Sequence, residues 1–247
     1  MLSEKPWKID AVARLFLGVI TTLCMGMLLA GLLGHFTSDW PKARSDFWQI
    51  TLSAFFLEIP ALVWIGLFLR QHKVSWKEAF GLQMTNPAKA AARGLLAAAL
   101  FLPVAWGCQW LSINVMDLAH LNPQNQAAVE ELQDPDLTVA GKAVLGVIVI
   151  VIAPLVEEAL FRGILYPAIK QRGFPRLALW GSSALFATVH FNMATFLPLL
   201  IFALLLVYLY ETFQNLLVPI VAHSFFNAVN FFALLFMDQI DRVLHLT

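Results

Sequence analysis

The hydrophobic positions of this chain fall into long runs separated by short polar segments. A transmembrane helix needs about 20 mostly apolar residues to cross the hydrocarbon core of a bilayer. The runs therefore predict about seven spanning helices, with six and eight as the alternatives. The predicted spans are residues 11–36, 48–69, 91–115, 140–166, 176–191, 196–211 and 216–237. The fifth and sixth runs are short, so we expect those helices to be tilted, broken or only partly inserted.

Composition predicts the same fold class. Hydrophobic residues make up 60% of the 247 residues and charged residues 13%, whereas a soluble domain has roughly 25% charged residues. We therefore expect an all-α, polytopic transmembrane helix bundle that forms one integral membrane domain over residues 1–247. The first apolar run is longer than the core of a signal peptide, so we expect an uncleaved first span. The formal net charge is zero, which gives no indication of a nucleic-acid partner.

The charge of the loops predicts the orientation in the membrane, because Lys and Arg favour the cytoplasmic side. Segments 70–93 and 167–176 are basic, whereas segment 116–142 is mostly acidic. The basic segments are expected inside and the acidic segment outside, which places the N-terminus in the cytoplasm. The compact length and the short loops favour a bacterial plasma membrane.

A small set of polar and ionisable residues interrupts the apolar spans. Such groups are costly within a bilayer and usually face the bundle interior or a water-filled cavity. Residues spaced four apart also share one face of a helix. The residues are Glu157, Glu158 and Arg162 on the fourth span, His190 with Phe186 on the fifth, and His223 with Asn227 on the seventh.

The depths of four of these residues overlap, given that each span boundary is defined only to within several residues. At 1.5 Å per residue from the cytoplasmic end of each span, Glu157 lies about 15 Å deep and His190 about 21 Å deep. His223 lies about 10 Å deep and Asn227 about 16 Å deep on the same scale. The sequence therefore predicts that three helices bring a carboxylate, two imidazoles and an amide to one level, around a polar intramembrane cavity.

The two adjacent glutamates are expected to have different roles. They point about 100° apart on a helix, and Glu158 is four residues from Arg162, so these two can form an ion pair. Pairing offsets the cost of burying a charge and leaves Glu157 to face the cavity. The alternative is that all three residues form one structural ion network.

The two histidines also have structural alternatives. His190 alone would be explained as a hydrogen-bonded core histidine, and His223 with Asn227 as an interhelical hydrogen-bonding pair. Taken together with Glu157, they instead favour chemistry on a water molecule. A carboxylate can act as a general base, and imidazole and amide groups can stabilise an oxyanion. One carboxylate and two imidazoles also match a zinc site with an open position.

Three short motifs carry a resemblance to a known family. The stretches "EEALFRG", "FATVH" and "HSFFN" resemble the EExxxR, FxxxH and HxxxN/B motifs of the CPBP family. This family comprises CAAX-prenyl proteases and bacteriocin-processing enzymes and is related to the type II CAAX-prenyl endopeptidases. The resemblance covers roughly residues 140–230, the motif-bearing core, and implies an intramembrane endopeptidase.

The resemblance also implies roles for the motif residues. Two would activate the attacking water and two would form an oxyanion hole, with three more as supports. The first pair is Glu157 and His190, the second is His223 and Asn227, and the supports are Glu158, Arg162 and Phe186. No cofactor is favoured, because Asn227 is a poor zinc ligand but a good hydrogen-bond donor. Zinc held by Glu157, His190 and His223 is the alternative.

The expected substrate is a peptide or protein terminus that enters a cytoplasm-facing cavity from the membrane or the cytoplasmic side. The resemblance covers prenylated CAAX-like ends, bacteriocins and signalling peptides, and does not choose among them. The alternative function is a non-catalytic immunity or scaffold protein that binds peptides in the bilayer. A proton-coupled transporter is disfavoured, since the sequence has no internal repeat.

Overall fold

A computed structural model of the chain describes residues 4–36, 42–83, 86–123, 125–135 and 137–244. All regular structure within these residues is helical, which agrees with the predicted fold class. The long helices are α1 (Ile9–Phe36), α2 (Lys42–Gln71), α4 (Pro87–Leu118), α6 (Val139–Lys170), α8 (Met193–Phe213) and α9 (Leu217–Leu244). The shorter helices are α3 (Trp76–Phe80), α5 (Ala127–Gln133) and α7 (Pro175–Thr188).

Five helices of the described chain are long and apolar enough to cross a membrane. They cover Ile9–Leu32, Pro87–Leu118, Val139–Lys170, Met193–Phe213 and Leu217–Phe236. The predicted count of about seven is therefore not confirmed. Helix α7, which holds most of the predicted fifth span, has 14 residues and is about 21 Å long. That is shorter than the roughly 30 Å of a hydrocarbon core.

Contacts between distant parts of the chain define the two ends of the bundle. At the first, the Leu216 N–H donates to the Phe80 carbonyl at 2.9 Å, and the Trp7 ring lies 5.3 Å from the His72 ring. We call this the α3 end. At the second, Gln126 Nε2 donates to Thr195 Oγ1 at 3.0 Å, which ties the start of α5 to the start of α8. We call this the α5 end.

Helix α6 is continuous but contains two wider turns, in Ile148–Ile152 and Ala159–Leu165, where the winding is π-helical. The Ala153 N–H, for example, bonds the carbonyl of Ile148 rather than that of Val149. Short π-helical insertions are frequent at functional sites. Here the two insertions bracket the short α-helical segment that carries the paired glutamates.

The backbone groups released by this winding find partners elsewhere in the bundle. The Val149 carbonyl accepts a hydrogen bond from Asn227 Nδ2 at 2.9 Å. The Gly163 carbonyl lies four residues before Pro167, which has no N–H to offer it, and it accepts from Trp7 Nε1 at 3.1 Å. Both bonds tie α6 to distant parts of the chain, one to α9 and one to the residues before α1.

Gly163 also permits the closest approach of α3 to α6. A Cβ at this position would lie less than 3.0 Å from the ring of Phe80, whose side chain is buried. A glycine is therefore needed where α3 packs against the second wide turn of α6.

Candidate active site

Glu158 and Arg162 form an ion pair in the centre of the bundle, as their spacing predicted. Arg162 Nη1 lies 2.9 Å from Glu158 Oε1, and the two side chains are 1% and 0% exposed. Arg162 Nη2 also donates to the Ala203 carbonyl at 3.3 Å. Since a buried charge is tolerated when it is paired and hydrogen-bonded, this arrangement fixes the helix that carries Glu157.

The same carboxylate oxygen holds a histidine, a contact that the sequence analysis missed. His223 Nδ1 lies 2.9 Å from Glu158 Oε1. A carboxylate paired with arginine only accepts hydrogen bonds, so Nδ1 carries the hydrogen and the orientation of the ring is set. His223 is itself buried, at 3% exposure, and its Nε2 faces Glu157.

Glu157 points away from its neighbour and into a cavity. Its side chain is 25% exposed, and Oε2 lies 3.7 Å from His223 Nε2. That distance is too long for a hydrogen bond, and Oε2 has no hydrogen-bond partner among the described residues. The two glutamates thus differ in surroundings: Glu158 is buried between Arg162 and His223, whereas Glu157 is partly exposed and lines the cavity.

His190 lies just beyond the end of α7. Its Nδ1 is 2.7 Å from the Phe186 carbonyl, which accepts, so Nδ1 carries the hydrogen, and in a neutral ring Nε2 holds the lone pair. The ring lines the same cavity as Glu157, although no hydrogen bond joins the two side chains in the described part of the chain. A neutral His190 can therefore accept a hydrogen bond from a molecule in the cavity.

Phe186 contacts both histidines and the Glu158–Arg162 ion pair. Its fully buried ring lies 4.8 Å from the His190 ring and 5.7 Å from the His223 ring, between centroids. The guanidinium carbon of Arg162 is 4.3 Å from the centre of the same ring. A cation over an aromatic face is attracted to it, so Phe186 packs both histidines against the ion pair.

Asn227 also lines the cavity, one turn along α9 from His223. One of its two amide hydrogens goes to the Val149 carbonyl at 2.9 Å. This bond crosses to the first wide turn of α6 and fixes the position of the amide. The second amide hydrogen remains for a molecule in the cavity.

The cavity that these four residues share has a volume of about 750 Å³. Its walls come from α4, α5, α6, α8 and α9, together with the segment before α5 and His190 between α7 and α8. Most of the lining side chains are apolar, among them Trp106, Phe226 and Phe231. The expectation of a polar cavity is therefore not confirmed, since polar groups are a minority in largely apolar walls.

Glu58 is a further carboxylate near the site that the sequence analysis missed. It lies on α2, which packs against the Ala153–Glu158 segment, and it is buried. Its Oε2 has no hydrogen-bond partner among the described residues, and it is close enough to Glu157 for the two charges to repel. A lone ionisable residue in the predicted second span was the available signal.

The alternative zinc ligands are not grouped as a metal site would require. Among the described residues, no three His, Cys, Asp or Glu side chains are placed to hold one metal ion. Glu157, His190 and His223 line one cavity, but the arrangement does not fit zinc as it stands.

The helices and the cavity define an integral membrane protein with a carboxylate and imidazole site inside its bundle. The family model described as "Type II CAAX prenyl endopeptidase Rce1-like" matches residues 139–229, nearly the range of the three motifs. This match confirms the resemblance of this region to the CPBP, or CAAX protease, family. No curated protein and no solved structure matches the chain.

Proposed function

We propose that the protein is an intramembrane endopeptidase in which Glu157 activates a water molecule. One observation carries this proposal: Glu157 is a cavity-facing carboxylate whose Oε2 has no partner in the described chain, beside an oriented histidine. A general base must reach the proton that it removes. The protease family of the matched region supports the same reaction class.

The proposed reaction uses these groups in the following order. Glu157 takes a proton from water while His190 Nε2 accepts the second hydrogen bond of that water. The resulting hydroxide adds to the carbonyl carbon of the peptide and forms a tetrahedral oxyanion. The C–N bond then breaks, and the proton held by Glu157 passes to the leaving amine, which restores the carboxylate.

His223 and Asn227 would stabilise the oxyanion. In its imidazolium form His223 donates from Nδ1 to Glu158 and from Nε2 into the cavity, and the carboxylate of Glu158 compensates the charge of the ring. The free amide hydrogen of Asn227 supplies a second donor. Donors that are fixed before the reaction stabilise developing charge without reorganisation, and here Glu158 and Val149 fix the two donors.

The reaction is proposed to be independent of a metal ion. The support is that Glu157, His190 and His223 are not grouped closely enough among the described residues to hold one metal ion. Asn227 also contributes an amide where a zinc site would need an imidazole, thiolate or carboxylate.

We further propose a bacterial plasma membrane with the α3 end in the cytoplasm. The described parts of the basic segments 70–93 and 167–176 both lie at the α3 end, as do Lys5 and Lys8. The acidic α5 and the residues around it lie at the other end. Basic residues favour the cytoplasmic side, so the N-terminus lies in the cytoplasm.

The test is cleavage of a peptide library by the detergent-solubilised protein, with prenylated CAAX-like peptides and their unprenylated counterparts included. We expect the wild type to cleave and Glu157→Gln to be inactive, with Glu130→Gln as an exposed carboxylate control. Binding of peptides without cleavage, equal in the wild type and Glu157→Gln, would overturn the proposal in favour of a non-catalytic peptide-binding protein.

A further inference from the structure

The cavity extends from the site in one direction only. Its deep end is at His223, and along α9 its wall continues through Asn227 and Asn230 to Leu234. Those eleven steps along the helix correspond to about 16 Å. Every described residue of the lining lies between the level of His223 and the α5 end.

The bundle is closed on the other side of the site. Between His223 and the α3 end lie the fully buried side chains of Arg162, Ile164, Tyr210 and Leu216. Phe80 covers them from α3 and accepts the Leu216 N–H at 2.9 Å. Interiors packed in this way leave no passage as wide as a peptide chain, so this core separates the site from the α3 end.

The opposite end is only lightly covered. Asn125 is exposed and Gln126 partly so, although both line the cavity. A hydrogen bond from Gln126 to Thr195 ties this segment to α8. Trp106 on α4 is a lining residue with half of its surface exposed. The cavity therefore opens beside α5.

The lining indicates what the cavity accepts. Beyond Glu157 and the two histidines, its polar side chains are neutral and most are amides, including Gln109, Asn125 and Asn230. An amide both donates and accepts hydrogen bonds, as the backbone of an extended peptide does.

The described lining contains no Lys or Arg. An acidic side chain of a substrate would therefore lose its hydration without an opposite charge in the walls. A basic one could meet only Glu157, the carboxylate needed for the reaction.

We infer that the substrate enters at the α5 end, from the extracytoplasmic side, as an extended and uncharged segment of peptide. The inference rests on the proposed function, because it treats the peptide in the cavity as a substrate. It also rests on the basic residues of the α3 end, which assign that end to the cytoplasm. It replaces the expectation from the sequence that the cavity faces the cytoplasm. Entrance from the α3 end would require the packed core around Arg162 to open.

The first test measures the direction of the opening without any cleavage. In a background with Cys24→Ala and Cys108→Ala, one variant carries Ala128→Cys on the cavity wall and another carries Lys77→Cys at the α3 end. Spheroplasts are treated with a membrane-impermeant maleimide. We expect Ala128→Cys to be labelled in intact spheroplasts and Lys77→Cys only after lysis. The reverse pattern would overturn the inference.

The second test uses a peptide that the solubilised enzyme cleaves. The peptide is added to right-side-out and to inside-out vesicles that hold equal amounts of enzyme, and is compared with a copy that carries one Lys next to the scissile bond. We expect at least tenfold faster cleavage by right-side-out vesicles and at least tenfold slower cleavage of the charged copy.

The two tests separate the inference from the proposed function. Faster cleavage by inside-out vesicles, or equal cleavage of the charged peptide, would overturn the inference and leave the endopeptidase intact. Labelling as expected, with no cleavage by any preparation, would support the direction of the opening and overturn the proposed function.

Discussion

Glu158 and His223 lie 65 positions apart in the chain, and their side chains meet at 2.9 Å in the centre of the bundle. The oxygen that contacts His223 Nδ1 is also the one that pairs with Arg162. One carboxylate thus neutralises a buried cation on its own helix and orients an imidazole on another. This double use explains why a carboxylate beside the proposed base is fully enclosed.

Glu158→Gln is expected to destabilise the protein strongly. The change leaves the Arg162 guanidinium buried without its counter-charge, and breaking a buried pair in this way costs about 3–5 kcal/mol. Thermal unfolding in detergent measures the effect, with the exposed Glu130→Gln as the matched control. An unfolding midpoint equal to that of the control would contradict the proposed role of the pair.

Glu157→Gln is expected to remain folded and to lose activity. Its carboxylate faces the cavity and its Oε2 makes no hydrogen bond with the described residues, so stability should change by no more than about 1 kcal/mol, the size of an ordinary hydrogen bond. Loss of a general base lowers the rate by about 10²–10⁴-fold. Cleavage rate and unfolding midpoint are measured on the same preparation, and residual activity above a tenth of wild type would exclude Glu157 as the base.

Glu58→Gln is expected to stabilise the protein. The buried carboxylate has an oxygen without a partner in the described chain and is repelled by Glu157. A neutral amide of nearly the same size cannot ionise and so removes the repulsion, and a gain of about 1 kcal/mol is expected at pH values where the wild-type carboxyl is ionised, because a buried charge without a partner is costly. A lower unfolding midpoint than that of the wild type would show that Glu58 has a stabilising partner.

Gly163→Ala and Gly107→Ala are expected to change stability in opposite directions. An added methyl at Gly163 would meet the ring of Phe80, whereas Gly107 on α4 has nothing within 4 Å of the new atom. Overpacking costs about 1–3 kcal/mol, and an alanine in an open helical position gains up to about 1 kcal/mol. Unfolding midpoints of the two variants, measured side by side, check both signs. Equal shifts would contradict the close packing of α3 on α6.

Chelation of divalent metals is expected to leave cleavage unchanged. The proposed reaction uses a carboxylate, two imidazoles and an amide, and no three candidate ligands in the described part of the chain are placed to hold one metal ion. Activity is measured with and without chelator, and elemental analysis of the active protein provides the control. Stoichiometric zinc together with loss of activity on chelation would overturn the metal-free reaction.

Features that depend on local spacing were accessible from the sequence. The four-residue interval of Glu158 and Arg162 predicted an ion pair that the structure contains, and the different directions of adjacent helical residues placed Glu157 apart from it. The apolar runs predicted a helical membrane protein. The end of the predicted fifth span, 176–191, was less accurate, because the helix stops at Thr188 and His190 bonds back to Phe186.

Features that depend on long-range contacts were not accessible in this way. The Glu158–His223 bond and the closeness of Glu58 to Glu157 arise only when separate helices pack. The wide turns of α6 have a weak local signal in Pro154 and Pro167, but which carbonyls they release depends on partners as distant as Trp7 and Asn227. The direction of the opening depends on which end of the bundle is closed by packed side chains. The charge of the loops contains no information on this packing.

The depth of the cavity also sets a length. About 16 Å separate the level of His223 from the rim near Leu234, and an extended peptide advances about 3.3 Å per residue. About five residues must therefore thread inward before a peptide bond reaches Glu157. The depth of the cavity would therefore set the position of the cut. A chain held at the rim by a folded domain or a bulky group would be cleaved at a fixed distance from that group.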